Sequence, residues 1–169
     1  KDIVNKVNNI NCEKEYNYIF LGSYKNNIGK IFNRKWILSF IENNFDDKSY
    51  LEFTDDETKK NYEKMGNFDH TLYIKQKKIN KNNFDYSYYS KLKKSKFCLC
   101  PAGDCIYSNR FYEALLCKTI PIVSNNVETY RSKAEKELDY KFYLSSDKNI
   151  VYNQEMIEHN YKIFLKYHT

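Results

Sequence analysis

Residues 95–123 read SKFCLCPAGDCIYSNRFYEALLCKTIPIV, and this stretch decides the fold. Its apolar run at residues 97–100 predicts a buried strand, and the loop that follows contains Pro and Gly. The spacing of apolar residues predicts a helix at about 108–117, and residues 119–123 predict a second strand. A strand, a helix and a strand in this order form a βαβ unit, whose two strands are parallel and joined by a right-handed crossover.

The same alternation continues on both sides of this unit. We predict strands at residues 16–21, 49–53 and 71–74, and helices at residues 30–43, 58–64 and 85–94. A terminal helix is predicted at about 153–168, with an inward face made of Met156, Ile157, Tyr161, Phe164 and Leu165. The pattern predicts an α/β fold with a single Rossmann-like open parallel sheet flanked by helices. The length of 169 residues fits one domain, 1–169.

The composition excludes several classes of protein. Apolar residues make up 41% of the chain and aromatic residues 17%, which excludes an intrinsically disordered chain. With 4 Gly and 2 Pro, the chain is neither collagen-like nor a flexible linker. Its apolar runs are far shorter than the roughly 18 residues that a membrane-spanning helix needs. We therefore expect a folded domain without a membrane span.

The net charge of +6 is unevenly distributed. Residues 75–96 hold eight Lys against one acid, Asp85, and aromatic residues lie between them. Such a segment could follow a nucleic-acid backbone and stack on its bases. The chain has only three Arg among its 28 basic residues, although Arg is the preferred ligand for bidentate phosphate contacts. A solvated basic surface is therefore favoured, and nucleic acid is an unlikely partner.

The five cysteines are Cys12, Cys98, Cys100, Cys105 and Cys117. Their number is odd, and four of them fall in one strand-loop-helix stretch, which is not typical of a disulfide framework. We expect reduced thiols, which favours a reducing compartment such as the cytoplasm. Because the spacing lacks a CxxC pair, no metal site is predicted.

The loop of the βαβ unit is the predicted ligand site. In open parallel sheets, ligands bind beyond the carboxyl ends of the strands, where loops enter helix N-termini. Ser108 is placed to cap the helix, and Arg110 lies in its first turn, where the helix dipole disfavours a cation. Arg110 therefore either faces an anion bound at the N-terminus or forms a surface pair with Glu113, three residues on. The spacing leaves both alternatives open.

The quoted stretch resembles the carboxy-terminal half of exostosin-type glycosyltransferases, a family with the GT-B fold. The family pattern reads approximately S-x-F-x-L-x-P-x-G, a short loop, S-x-R-x-x-E-A, and a strand with (I/V)-P-(V/I). This sequence has the three parts at residues 95–103, 108–114 and 120–123. Upstream, Phe20-x-Gly22 followed by Arg34 is similar to the family's first strand of that half, its phosphate-side loop and its following Arg.

The resemblance implies that the domain is the lobe that holds the nucleotide of a sugar donor. Gly22 and Ser23 would approach the diphosphate, Arg110 would offset its charge, and Glu113 would accept hydrogen bonds from the ribose hydroxyls. The full set of substrate-binding residues implied in this way is Gly22, Ser23, Arg34, Pro101, Gly103, Ser108, Asn109, Arg110 and Glu113. The pattern implies no cofactor, and it identifies no catalytic residue.

Two features depart from the family. Lys118 stands where the family commonly has Gly, a usual residue for ending a helix in a left-handed conformation. A GT-B enzyme also needs a second lobe for the acceptor, which would lie in the same or another chain. We therefore predict the donor-binding lobe of a glycosyltransferase, which transfers a hexosyl or pentosyl group from a nucleoside-diphosphate sugar to a glycan or protein acceptor. The alternatives are a basic nucleic-acid-binding module and a catalytically silent GT-B-like interaction domain.

Overall fold

The structure, a computed structural model, describes residues 2–23, 34–54, 84–102, 108–125 and 138–168. Its strands are β1 (Tyr16–Gly22), β2 (Tyr50–Phe53), β3 (Ser95–Leu99), β4 (Ile120–Val123) and β5 (Tyr143–Leu144). Its helices are α1 (Asp2–Asn8), α2 (Lys35–Asn44), α3 (Tyr86–Lys93), α4 (Asn109–Leu116) and α5 (Gln154–His168).

The five strands form one parallel sheet in the order β2-β1-β3-β4-β5. Ile19 pairs with Tyr50 on one side and with Cys98 on the other, so β1 lies inside the sheet. The chain order reverses direction between β1 and β3, which makes the gap between their carboxyl ends the topological switch point. The predicted α/β fold with an open parallel sheet is confirmed.

Helices cover both faces of this sheet because side chains alternate along each strand. On one face, Ile19 and Cys98 pack in a cluster with α1, α3 and α4. On the other face, Phe20 and Leu99 pack against α2. The terminal helix α5 reaches both clusters, since it places Phe164 in the first and Ile157 in the second.

The inward face predicted for the terminal helix is buried at its centre, whereas its edges are only partly buried. Ile157 and Phe164 are buried, while Met156, Tyr161 and Leu165 are only partly buried. The helix also buries Asn160, which the apolar pattern does not reveal. Its amide accepts from the Lys141 backbone N at 2.8 Å and donates to the Lys141 carbonyl at 2.7 Å, so the buried polar group is satisfied.

Most predicted elements that fall on described residues are present. The predicted helix at 30–43 begins, within the described residues, at Lys35 and continues to Asn44. The predicted helix at 58–64 and strand at 71–74 lie outside the described residues. Two elements were not predicted: α1 buries only Val4 and Val7, and β5 has two residues, so neither carries a periodic signal.

Lys118 adopts the left-handed conformation that the family pattern assigns to a Gly at this position, with φ 54°. It follows the C-cap residue of α4, Cys117. A side chain in this conformation costs about 1–2 kcal/mol because its Cβ approaches the following carbonyl. The turn after α4 is therefore left-handed at Lys118, at the expense of this strain.

Lys14 lies at the end of the sheet where the strands begin. Its ammonium donates to the Ser95 carbonyl at 2.7 Å, the Lys118 carbonyl at 2.8 Å and Thr119 Oγ1 at 3.2 Å. Burial lowers the pKa of Lys14 to about 8. These contacts tie the segment before β1 to the start of β3 and β4.

The cysteines that the structure describes form no disulfide. Cys98, Cys100 and Cys117 are buried and Cys12 is partly exposed, while Cys105 lies outside the described residues. Burial raises the pKa of the Cys100 and Cys117 thiols, which keeps them protonated at neutral pH. None of the described helices is both long and apolar enough to cross a lipid bilayer.

Candidate functional site

Several of the predicted site residues lie close together at the switch point, where β1 and β3 end. Gly22 is the last residue of β1, with φ 153°, a conformation that side chains rarely adopt. A Cβ added at Gly22 would lie 2.7 Å from Nη2 of Arg110. Only glycine thus allows the guanidinium to lie against the end of this strand.

Arg110 lies in the first turn of α4 and reaches back over β1. Its Cζ is 5.5 Å from the centroid of the Phe20 ring, within the range of a cation–π contact. Its Nε is buried and has no hydrogen-bond partner among the residues that the structure describes, although a buried donor normally has one. The site thus contains a fixed positive charge with an unused N–H donor.

Glu113 lies one turn after Arg110, and its carboxylate is held from α3. The hydroxyl of Tyr88 donates to Oε2 of Glu113 at 2.5 Å, and Tyr89 interacts with the same carboxylate. The Tyr88 hydroxyl also interacts with the guanidinium of Arg110. Burial raises the pKa of Tyr88, although the charge of Arg110 lowers it, so this hydroxyl stays protonated and donates.

The arrangement differs from the surface ion pair that spacing alone also allowed. Among the described residues, no ion pair joins Arg110 to Glu113. Both side chains instead meet at the Tyr88 hydroxyl. Arg110 and Glu113 are therefore held separately, which leaves each with hydrogen-bonding capacity of its own.

Arg34, which precedes α2, connects the ends of the two central strands. Its Nη1 donates to the Ser23 carbonyl at 2.6 Å, and its Nε and Nη2 donate to the Ala102 carbonyl at 3.1 and 3.0 Å. Ser23 directly follows β1, and Ala102 follows β3. The predicted role of Arg34 was a substrate contact, whereas the contacts in the structure hold the two sides of the switch point together.

Ser108 does not cap α4 in the way that was predicted. It is the N-cap residue, but its side chain accepts no hydrogen bond from the helix, and its buried Oγ has no partner in the described ranges of the chain. Its carbonyl accepts from the Phe111 backbone N at 3.0 Å instead. The predicted side-chain cap is therefore wrong, and the hydroxyl keeps its own hydrogen-bonding capacity at the helix N-terminus.

The other predicted site residues are placed as follows. Pro101 is buried just after β3, and Asn109 is the exposed first residue of α4. Gly103 lies outside the described residues. The structure thus brings Gly22, Arg110 and Glu113 together, with Arg34 and Ser23 at the rim.

Sequence reasoning missed Tyr88 as a member of the site. Its ring packs beside Tyr89, with centroids 5.2 Å apart, as an apolar residue of the helix would. The hydroxyl reaches Glu113 across 25 positions of the sequence. No local pattern signals such a contact, although buried Tyr hydroxyls usually find a partner.

The described part of the basic segment is engaged by the protein itself. Lys91 pairs with Glu52 at 3.1 Å, and Lys94 pairs with Glu15 at 2.9 Å. Lys93 donates to the Val7 carbonyl at 2.8 Å, and Lys96 donates to Asn17 at 3.1 Å. The other lysines of the segment, at residues 75–81, lie outside the described residues. Within the described residues, no group of three or more His, Cys, Asp and Glu is placed to hold a metal ion.

Comparison with known proteins agrees with this architecture. The Exostosin GT47 domain model matches residues 25–156. No curated protein sequence matches the chain. The fold resembles that of a chain in the GtfA/B complex, with a TM-score of 0.52 and 14% identity over 92% of this chain and 33% of that one. The C-terminal CMP-Kdo binding domain of WaaA from Acinetobacter baumannii gives a TM-score of 0.46 and 9% identity, over 96% of this chain and 97% of that one. This chain therefore spans about a third of the length of the GtfA/B chain that it resembles.

Proposed function

This chain belongs to the exostosin GT47 family, and we propose that it is the lobe of a glycosyltransferase that binds a nucleoside-diphosphate sugar. The sugar, a hexosyl or pentosyl group, would be transferred to a glycan or protein acceptor. A second GT-B lobe, in the same or another chain, would hold the acceptor. The family resemblance that the motifs indicated is confirmed by the family match.

One observation carries the proposal: within the part of the chain that the structure describes, the buried Nε of Arg110, beside Gly22 at the switch point, has no hydrogen-bond partner. An uncompensated buried donor on a cation is costly in the free protein. A phosphate oxygen that accepts from it would remove this cost and pair the charge. Gly22 leaves the space for such a group to approach the backbone.

The chemistry of sugar transfer fits these residues. Negative charge grows on the diphosphate as the bond between the sugar and the phosphate breaks, so a cation fixed at that place stabilises the transition state. Arg110 supplies the cation. Ser108 Oγ and the N-terminal N–H groups of α4 supply neutral donors on the same side.

Glu113 would accept hydrogen bonds from the ribose of the nucleotide. A carboxylate has two oxygens, and charged acceptors form shorter and stronger hydrogen bonds than neutral ones. Tyr88 uses Oε2 of Glu113, so Oε1 faces no competition from that hydroxyl. The nucleoside and the diphosphate would thus be held by residues one helical turn apart on α4.

Calorimetric titration with UDP, GDP, ADP and CDP and with inorganic pyrophosphate tests the proposal. Replacing Arg110 by Met keeps an unbranched side chain and removes the charge. We expect a loss of affinity of about ten- to a hundredfold for the nucleotide and for pyrophosphate, as for a lost charge-assisted hydrogen bond.

The matched control is Lys162→Met, which removes an equal charge from an exposed position on α5. We expect this variant to bind as the parent chain does. If none of the four nucleoside diphosphates binds at millimolar concentration, the proposal is overturned. Unchanged affinity of Arg110→Met would overturn the assignment of the diphosphate to Arg110.

A further inference from the structure

We propose that Tyr88 is a positioning residue of the donor site, which orients the Glu113 carboxylate toward the ribose hydroxyls. The proposal rests on the proposed function. It assigns to α3 a part in nucleotide recognition that the quoted motifs do not, since they lie at residues 20–34, 95–103, 108–114 and 120–123.

The contact between Tyr88 and Glu113 is a short hydrogen bond that fixes one carboxylate oxygen. The hydroxyl is 2.5 Å from Oε2, the distance of a strong hydrogen bond to a charged acceptor. Three rotatable bonds separate a Glu carboxylate from its backbone, so without a partner it would occupy several rotamers. Tyr88 fixes Oε2, and Tyr89 interacts with the same carboxylate, so Oε1 lies at a defined place for a ligand hydroxyl.

Tyr88 is itself held in place. The carboxylate of Asp85, the N-cap of α3, accepts from the Tyr88 backbone N at 3.1 Å, which fixes the first turn of the helix. The Tyr88 ring meets the Tyr89 ring edge to face, with centroids 5.2 Å apart. A rigid donor on a neighbouring element orients a carboxylate better than solvent does.

The same hydroxyl interacts with Arg110, so it lies between the residue assigned to the diphosphate and the residue assigned to the ribose. Its single proton goes to Glu113, and its oxygen can accept from the guanidinium. Tyr88 therefore prevents Arg110 and Glu113 from closing on each other as an ion pair. Such a closed pair would leave neither group available to the nucleotide.

Tyr88→Phe removes the hydroxyl and keeps the ring. The readout is the ratio of the dissociation constants for a ribonucleoside diphosphate and its 2′-deoxy and 3′-deoxy counterparts, taking the tightest binder among UDP, GDP, ADP and CDP. We expect the parent chain to prefer the ribose form by about tenfold or more, as for a hydrogen bond to a charged group. In Tyr88→Phe we expect this preference to fall at least about threefold, while pyrophosphate affinity changes less than about twofold.

Four further variants separate positioning from a general loss of structure. Tyr86→Phe changes an exposed hydroxyl on the same helix and should leave the ribose preference intact. Glu113→Gln should abolish most of the preference, and adding Tyr88→Phe to it should change nothing further, because residues that act as a unit are not additive. Glu113→Asp keeps the charge but shortens its reach to Tyr88, and should lose preference even if Tyr88→Phe folds poorly.

The outcomes distinguish the two proposals. If the parent chain binds no nucleoside diphosphate, the proposed function fails and this inference fails with it. If the parent chain binds but shows no ribose preference, or if Tyr88→Phe retains the full preference, the assignment of Tyr88 is wrong while that of Arg110 stands. Equal losses for nucleotide and pyrophosphate in Tyr88→Phe would also overturn it, because they would show that Tyr88 acts on Arg110 alone.

Discussion

At the scale of single residues, Gly22 determines where the guanidinium of Arg110 can lie against β1. A Cβ at this position would meet Nη2 of Arg110 at 2.7 Å, and its φ of 153° is unfavourable for any side chain. We expect Gly22→Ala to lower the free energy of unfolding by about 1–3 kcal/mol, the cost of a strained backbone. We also expect weaker nucleoside-diphosphate binding, because the guanidinium must move. Chemical denaturation and calorimetric titration measure the two effects.

A double variant separates the clash from the backbone strain. Adding Arg110→Ala to Gly22→Ala removes the atoms that the new methyl group meets, so part of the lost stability should return. Nucleotide affinity should not return, because the cation is gone. If Gly22→Ala binds nucleotide like the parent chain, Arg110 does not need its position against β1.

At the scale of elements, one residue after the end of α4 has a strained backbone conformation. Lys118 has φ 54°, and its side chain contacts Glu158 at 3.1 Å and lies 4.7 Å from the Tyr161 ring centroid. Both Lys118→Gly and Lys118→Ala lose these contacts, but only Gly relieves the conformation. We expect the Gly variant to be more stable than the Ala variant by about 1 kcal/mol, or about 2–4 °C in melting temperature.

The same pair of substitutions at Lys162, inside α5, gives the control. Within a helix, Gly is less stable than Ala by about 1 kcal/mol, so the order should reverse there. Thermal melting of the four variants is sufficient. An Ala variant at Lys118 as stable as the Gly variant would show that the left-handed conformation carries no cost.

The elements that sequence patterns predicted are those with a long local signal. Residues 95–123 contain two apolar runs and a helical period between them, and β3, α4 and β4 were found within a few residues of the prediction. The helix α1 and the strand β5 were missed because tertiary contacts, rather than periodicity, stabilise them. Local spacing specifies a βαβ unit well and marginal elements poorly.

The candidate site, like the fold, could be predicted from the sequence only in part. The spacing of Arg110 and Glu113 predicted that both lie on one side of α4, because residues three apart are neighbours on a helix. Their common partner Tyr88 lies on another helix, and the missing side-chain cap at Ser108 depends on how the chain enters α4. Contacts of this kind follow from packing and cannot be read from spacing.

At the scale of the whole molecule, buried titratable groups predict how stability depends on pH. The folded-state pKa of Lys14 is about 8 against an ordinary 10.5, so between these values the unfolded chain binds the extra proton and stability rises with pH. Burial raises the pKa of Cys100 and Cys117 above 9.0, and above that pH the unfolded chain releases protons that the folded chain keeps. Stability then falls as pH rises.

We therefore expect the melting temperature to reach a maximum near pH 9 and to fall above about pH 10. Burial also raises the pKa values of Tyr88 and Tyr140, so these two residues add to the loss of stability above pH 10. Melting curves at intervals between pH 7 and 11 measure this. Lys14→Met should remove the rise below the maximum and keep the fall above it. A melting temperature that still climbs beyond pH 10.5 would contradict the assignment.

The anchoring of residues 2–15 also has a consequence for synthesis on the ribosome. Asn8 accepts from the Tyr161 hydroxyl at 2.8 Å, a partner 153 positions later in the chain, and Lys14 bonds to the Lys118 carbonyl. At about 5–20 residues per second, the partner of Asn8 emerges roughly 8 to 30 seconds after Asn8 itself. Throughout that interval Val4 and Val7, buried in the finished protein, have no complete docking surface. The helix α1 is thus translated well before its docking surface is complete, so it packs onto the sheet late in folding.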